Sequence, residues 1–181
     1  MKSASPESRV ICTLQLVNEW LRFAEVKNGA LITLNAAAVV ATHQLRDWYK
    51  PVPDWVSYWS WAATLLFLAA IAVGLASFYS RTKTFGFDLP RHTAGKAGNA
   101  LFFGHLADMS RTDVLARLVD QRDVDREDRY LEDVAEQIII NAKIARKKFA
   151  LFNFALMLTM AGALTPVGWL LYHWGFCNER L

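Results

Sequence analysis

Two uncharged runs constrain this chain more than anything else in it. Trp55 to Ser80 and Phe149 to Tyr172 contain no Asp, Glu, Lys, Arg or His. Crossing about 30 Å of hydrocarbon takes roughly 20 helical residues, and each run is long enough. A third stretch, Gly29 to Leu45, is shorter and is diluted by Thr33, Asn35, Thr42 and His43. Beside Trp55–Ser80, with a short connection between them, it reads as half of a helical hairpin. The expected fold is therefore all-α: an integral membrane helical bundle whose long helices extend into a cytoplasmic helical module.

The flanks of these runs favour spanning over burial. Trp48, Tyr49, Trp55, Tyr58, Trp59 and Trp61 gather at one end of the first two, Phe78 and Tyr79 mark the other, and Trp169, Tyr172 and Trp174 close the third. Indole and phenol rings favour the headgroup boundary, where the ring is in apolar surroundings and its N–H or O–H stays wet. Basic residues set the orientation. The presumed outer pieces hold only Arg46, Lys50 and Arg180 of the 20 Lys and Arg, and cytoplasmic loops are the ones enriched in Lys and Arg. The expected layout is a cytoplasmic N-terminal helix (1–28), spans at 29–45, 55–80 and 149–172, a periplasmic loop (46–54), a cytoplasmic sensor region (81–148) and a periplasmic tail (173–181). This is a multi-pass protein of the bacterial inner membrane with its N-terminus inside.

Composition excludes several classes. A net charge of +3 is too small to argue for nucleic acid as a partner. Cys12 and Cys177 would lie on opposite sides of the bilayer, and neither belongs to a C-x-x-C or Cys/His cluster. Residues 1–9 are polar, without the apolar core of a cleaved signal peptide. There is no P-loop, no G-x-G-x-x-G and no G-x-S-x-G. His43, His92, His105 and His173 are scattered. The expectation is a protein that is not an enzyme and needs no metal or cofactor.

In the sensor region, Arg81 to Asn99 is a basic loop interrupted by Pro90 and three glycines. Ser110-Arg111-Thr112-Asp113 fits a capping box that opens a short helix. From about Val124 a long helix is expected to run into the last span. Its Leu131, Val134, Ala135, Ile138, Ile139 and Ala142 form a stripe suited to partner helices. Likewise Thr13–Gly29 should run straight into the first span. The acids between Asp123 and Glu136 alternate with Arg122, Arg126 and Arg129, which reads as a solvated face held by i,i+4 ion pairs rather than a metal site. Asn35, Thr42, His43, Asn153, Thr159 and Thr165 lie inside the presumed spans. They read first as interhelical hydrogen-bonding groups and second as the lining of a water-filled path. Three spans cannot enclose a pore, so a conducting form would be a homo-oligomer.

The segment Asn99-Ala100-Leu101-Phe102-Phe103-Gly104-His105 stands between the basic loop and the capped helix. Together they offer what a phosphate-bearing ligand needs: cationic groups, free helix N-terminal amides and aromatic faces for a base, although on composition alone the plainer reading is a generic loop. Arg91, Lys96, His105 and Arg111 are the phosphate candidates, with Asn99 beside them, and Phe102 or Phe103 could stack on the base.

The arrangement resembles a known family. An N-terminal helix carries Trp20, then Glu25-Val26-Lys27-Asn28-Gly29-Ala30-Leu31 leads into the first span. After the second span and the basic loop comes Asn-x-Leu-Phe-Phe-Gly-His at 99–105. The long helix carries Gln137 and reaches its span through Lys147-Lys148-Phe149. Nearly the whole chain is similar to the transmembrane effectors of the Pycsar anti-phage system, except that Glu25 stands where Asp is more common. The resemblance implies a ligand, cyclic CMP or cyclic UMP made by a partner cyclase, and an output, impairment of the inner membrane that aborts infection. The rival readings are a non-catalytic membrane scaffold or pore-forming subunit gated by a different partner or signal, and, more remotely, an enzyme of lipid head groups using His105.

Overall fold

The computed structural model describes residues 5–48, 51, 54–79, 99–119 and 129–177, with side chains described as far as Thr165 in the last helix. Everything regular among them is helical: α1 (Pro6–Trp48), α2 (Asp54–Phe78), α3 (Phe103–Leu106), α4 (Arg111–Leu118) and α5 (Arg129–Cys177). Helix α1 begins where the sequence provides a start. Pro6 occupies its first position and Ser8 N–H donates to Ser5 Oγ at 3.3 Å. It then runs for 43 residues, roughly 64 Å at 1.5 Å per residue, and stops short of Pro51. The expected joining of 13–29 to the first span is thus a single helix, and α5, at 49 residues, joins the long helix to the last span in the same way.

The chain divides into two compact units. The first comprises residues 1–25 and 80–149. Its core is Val10 and Val17 of α1, Leu106 of α3, Val114 and Leu118 of α4, and Val134, Ala135, Ile138 and Ala142 of α5. The Leu131–Ala142 stripe is therefore largely covered by the chain's own helices. Asn141 Nδ2 donates to Asn18 Oδ1 at 2.8 Å, and Lys148 Nζ donates to Glu25 Oε1 at 2.6 Å. Both contacts join residues 123 apart, so α1 and α5 run parallel here and in register.

The second unit comprises residues 26–79 and 150–181. Leu31, Ala70, Phe152 and Ala155 centre its core. Helix α2 lies antiparallel to α1: Asn28 Nδ2 donates to Ser77 Oγ at 2.9 Å, and the His43 and Trp61 rings meet edge-to-face near the other end. Two glycines allow close approach. A Cβ on Gly74 would stand 2.8 Å from Ile32 Cγ1, and one on Gly162 would stand 2.8 Å from Phe67 Cε1. Between α1 and α5 the buried Asn35 amide donates to Thr159 Oγ1 at 2.9 Å and to the Leu31 carbonyl at 2.8 Å. The Thr159 hydroxyl has Asn35 Oδ1 (3.1 Å) and the Ala155 carbonyl (2.9 Å) within reach. Thr33, Thr42 and Thr165 each donate to the carbonyl four residues back in their own helix. The polar side chains at 35 and 159 therefore join helices, as the first reading of them expected. Among the described residues, two helices are long and apolar enough to cross a membrane, α2 and the Arg129–Thr165 part of α5. The 29–45 part of α1 packs among their apolar portions through Leu31, Ile32 and Asn35.

Candidate functional site

Most segments that carry the family resemblance meet in the first unit. Helix α1 brings Trp20 and Glu25, α3 brings Phe103, and α5 brings Lys148 and Phe149. Phe103 stacks on Phe149 with ring centroids 5.0 Å apart and planes 19° apart, and the Trp20 ring lies 5.6 Å from Phe103 and 6.3 Å from Phe149. Beside these rings, the Lys148 side chain is only 8% exposed and its ammonium meets Glu25, which is 45% exposed. One end of this ion pair is thus in a poorly hydrated site and the other reaches water. Trp20 Nε1–H is buried and has no hydrogen-bond partner among the described residues. Gln137 donates to Asn141, which holds Asn18 across the helix pair.

The 99–105 motif has a local explanation for nearly every residue. Asn99 Oδ1 accepts from Leu101 N–H at 2.9 Å, making an Asx turn. Asn99 N–H donates to His105 Nδ1 at 2.9 Å. In neutral His105 that leaves the hydrogen on Nε2, as a donor. Gly104 is required because the Phe102 ring folds back over it: an added Cβ would meet Phe102 Cε1 at 2.5 Å. Past the motif, Asp108 accepts from Arg146 at 2.8 Å through each carboxylate oxygen. The capping box is present as expected, with Ser110 Oγ accepting from Asp113 N–H at 3.1 Å and Asp113 Oδ2 accepting from Ser110 N–H at 3.2 Å.

The candidate ligand residues do not all converge. Phe103 is packed among Trp20, Phe102 and Phe149, whereas Phe102 is half exposed. Asn99 and His105 are joined to each other. Arg111 donates to Glu132 at 3.1 Å and to Glu136 at 2.6 Å, so a phosphate arriving there would compete with two carboxylates. Glu132 and Glu136, the C-terminal end of the acidic run, thus pair across to α4. Arg91 and Lys96 lie outside the described residues, as do the acids from 123 to 128. No group of three or more potential metal ligands occurs among the described residues. Sequence reasoning did not single out Asn18, Asn141 or the contact between Glu25 and Lys148. The buried Val10, Val17, Ala24 and Leu31 recur at seven-residue steps, and that spacing was the available signal for a paired α1.

Fold and site together define a helical membrane protein in which a bundle of apolar helices is continuous in sequence with a charged, ion-paired helical unit. The chain belongs to the Pycsar effector family: the family model PycTM, described as the Pycsar effector protein domain, matches residues 10–174. It is thus an effector of anti-phage defence. Neither the curated proteins nor the solved structures include a significant match to it.

Proposed function

We propose that this protein binds a cyclic pyrimidine mononucleotide, cyclic UMP or cyclic CMP, on the cytosolic side of the bacterial inner membrane and responds by impairing that membrane, so that infection is aborted. The observation that carries the reading is the family match, which extends over both the apolar unit and the charged one. The excess of basic residues in the N-terminal and central parts supports a charged unit on the cytosolic side, where a second messenger would be made. The output is mechanical: helices rearrange within a homo-oligomer, and no bond is made or broken.

A ligand shifts such an equilibrium only by binding one arrangement more tightly than the other. The anionic phosphate is assigned to Arg91 and Lys96, with Arg111 and the Nε2–H donor of His105 as the described groups nearest the same stretch of chain. At Arg111 the phosphate would take the place of Glu132 and Glu136. That exchange would loosen α4 from α5 and gives the ligand a way to favour a second arrangement.

The test is thermal unfolding of the detergent-solubilised protein with cyclic UMP, cyclic CMP, cyclic AMP or no ligand, together with dye release from liposomes containing it. A pyrimidine nucleotide should raise the melting temperature and release dye. The Arg91→Ala/Lys96→Ala variant should melt normally without ligand and show neither response. Absence of any shift with both pyrimidine nucleotides would overturn the proposal and leave a scaffold as the better reading.

A further inference from the structure

Helix α5 has two opposite faces where it passes through the second unit. Phe152, Ala155, Thr159 and Gly162 are buried and recur at steps of three, four and three residues. They pack against Leu31, Asn35 and Phe67 of α1 and α2. Asn153, Met157, Met160 and Leu164 are exposed and recur at steps of four, three and four. At about 100° per residue the two sets lie on opposite sides of the helix, and the second has the a/d spacing of a coiled-coil seam. Its apolar members are 69%, 56% and 60% exposed. Lipid can cover those three side chains, but it cannot satisfy Asn153.

The other polar side chains of the spans are accounted for. Asn35 and Thr159 hydrogen-bond to each other, Thr33, Thr42 and Thr165 donate to their own helices, and His43 lies against the Trp61 ring. Gln44 stands at the end of its span, two residues before Arg46. Asn153 is exposed and has no hydrogen-bond partner among the described residues. It lies four residues after Phe149, roughly 6 Å into the uncharged run. Its carboxamide carries two N–H donors and a carbonyl acceptor, and hydrocarbon supplies no partner for them. The exposed face of α2 is different: Leu65, Leu68, Ala69, Ala72 and Leu75 are all apolar, as a surface turned to lipid requires.

We propose that Asn153, Met157, Met160 and Leu164 are the seam through which α5 pairs with α5 of a second copy of this chain, before any nucleotide binds. Copies inserted in one membrane share one orientation, so these helices meet parallel. In a parallel seam each layer is made of the same residue from every copy. Asn153 therefore meets Asn153, and a carboxamide is complementary to itself, each one donating an N–H and accepting another. A polar layer of this kind fixes the register of the helices, because any slip strands the amides among apolar side chains. The proposal rests on the membrane-embedded homo-oligomer of the preceding reading and assigns its interface.

To test it, Cys12 and Cys177 are replaced by serine, and Met157→Cys, Met160→Cys or Leu68→Cys is introduced in separate samples. Each full-length chain is reconstituted without nucleotide into phosphatidylethanolamine–phosphatidylglycerol vesicles and oxidised with copper phenanthroline. Cysteines at 157 and 160 should form disulfide-linked dimers several-fold faster than cysteine at 68, on the outer face of α2. Association is read separately, by energy transfer between copies labelled at the N-terminus as they are diluted with lipid. Asn153→Leu should weaken it about 3- to 20-fold, the worth of one interhelical hydrogen bond in a bilayer, and Asn153→Gln should lose much less. Cross-linking at 157 and 160 no faster than at 68 would overturn the seam. So would an Asn153→Leu chain that associates as strongly as the parent. If the parent chain itself shows no energy transfer, the homo-oligomer of the proposed function falls together with the seam; if it associates but cross-links through residue 68, only the seam is lost.

Discussion

Replacing Thr159 with valine tests the hydrogen bonds between α1 and α5 in the second unit. The change keeps the shape of the side chain and removes its hydroxyl. Asn35 is fully buried and would retain its donation to the Leu31 carbonyl. It would lose Thr159 as the acceptor for its second N–H and as a donor to Oδ1. Interhelical hydrogen bonds in membrane bundles are worth about 0.6 kcal/mol on average and up to about 1.7 kcal/mol. Leaving a buried polar group unsatisfied adds about 1–3 kcal/mol. The expected loss is therefore on the order of 2–3 kcal/mol. Adding Asn35→Val removes the stranded amide, so the double variant should recover part of that loss rather than lose more. Unfolding free energies from denaturant titration in mild detergent, followed by circular dichroism, give the numbers. A Thr159→Val loss within about 0.5 kcal/mol, the range of a neutral surface change, or simple additivity in the double variant, would refute the reasoning.

Two further outcomes follow from close contacts. Gly162→Ala should cost about 1–3 kcal/mol in the same titration, because its Cβ would press on the Phe67 ring, and Phe67→Leu should relieve it; Gly29→Ala, with no atom within 4 Å of its added Cβ, should cost nothing. Glu25→Gln should cost on the order of 1–2 kcal/mol, less than for a fully buried pair since Glu25 is half exposed, and Lys148→Met in that background should restore part of the loss by removing a poorly hydrated charge that no longer faces this carboxylate.

What could be read from the sequence was what depends on neighbours in the chain. The uncharged runs give α2 and the last part of α5, and the Ser110–Asp113 capping box follows from four consecutive residues. The absence of proline between Thr13 and Leu45 gave the continuity of α1. The site was less legible because its contacts are tertiary. Nothing in the spacing of Arg111 says that Glu132 and Glu136, on another helix, will meet it. A pair of adjacent phenylalanines does not reveal which ring faces inward; here Phe103 is the one engaged by Trp20 and Phe149. Glu25 and Lys148 were visible as parts of motifs, but a separation of 123 residues carries no local sign of contact.

The amide at position 35 also limits how the apolar bundle can move. If α1 slid along α5 by one heptad, Asn35 would face Phe152 or Pro166 in place of Thr159. Neither side chain can accept or return a hydrogen bond, so a shift of that size would strand the carboxamide in hydrocarbon. Rolling or tilting of the two helices about the 35–159 contact carries no such penalty. That contact therefore acts as a fulcrum, and any opening of this bundle is expected to be angular rather than axial.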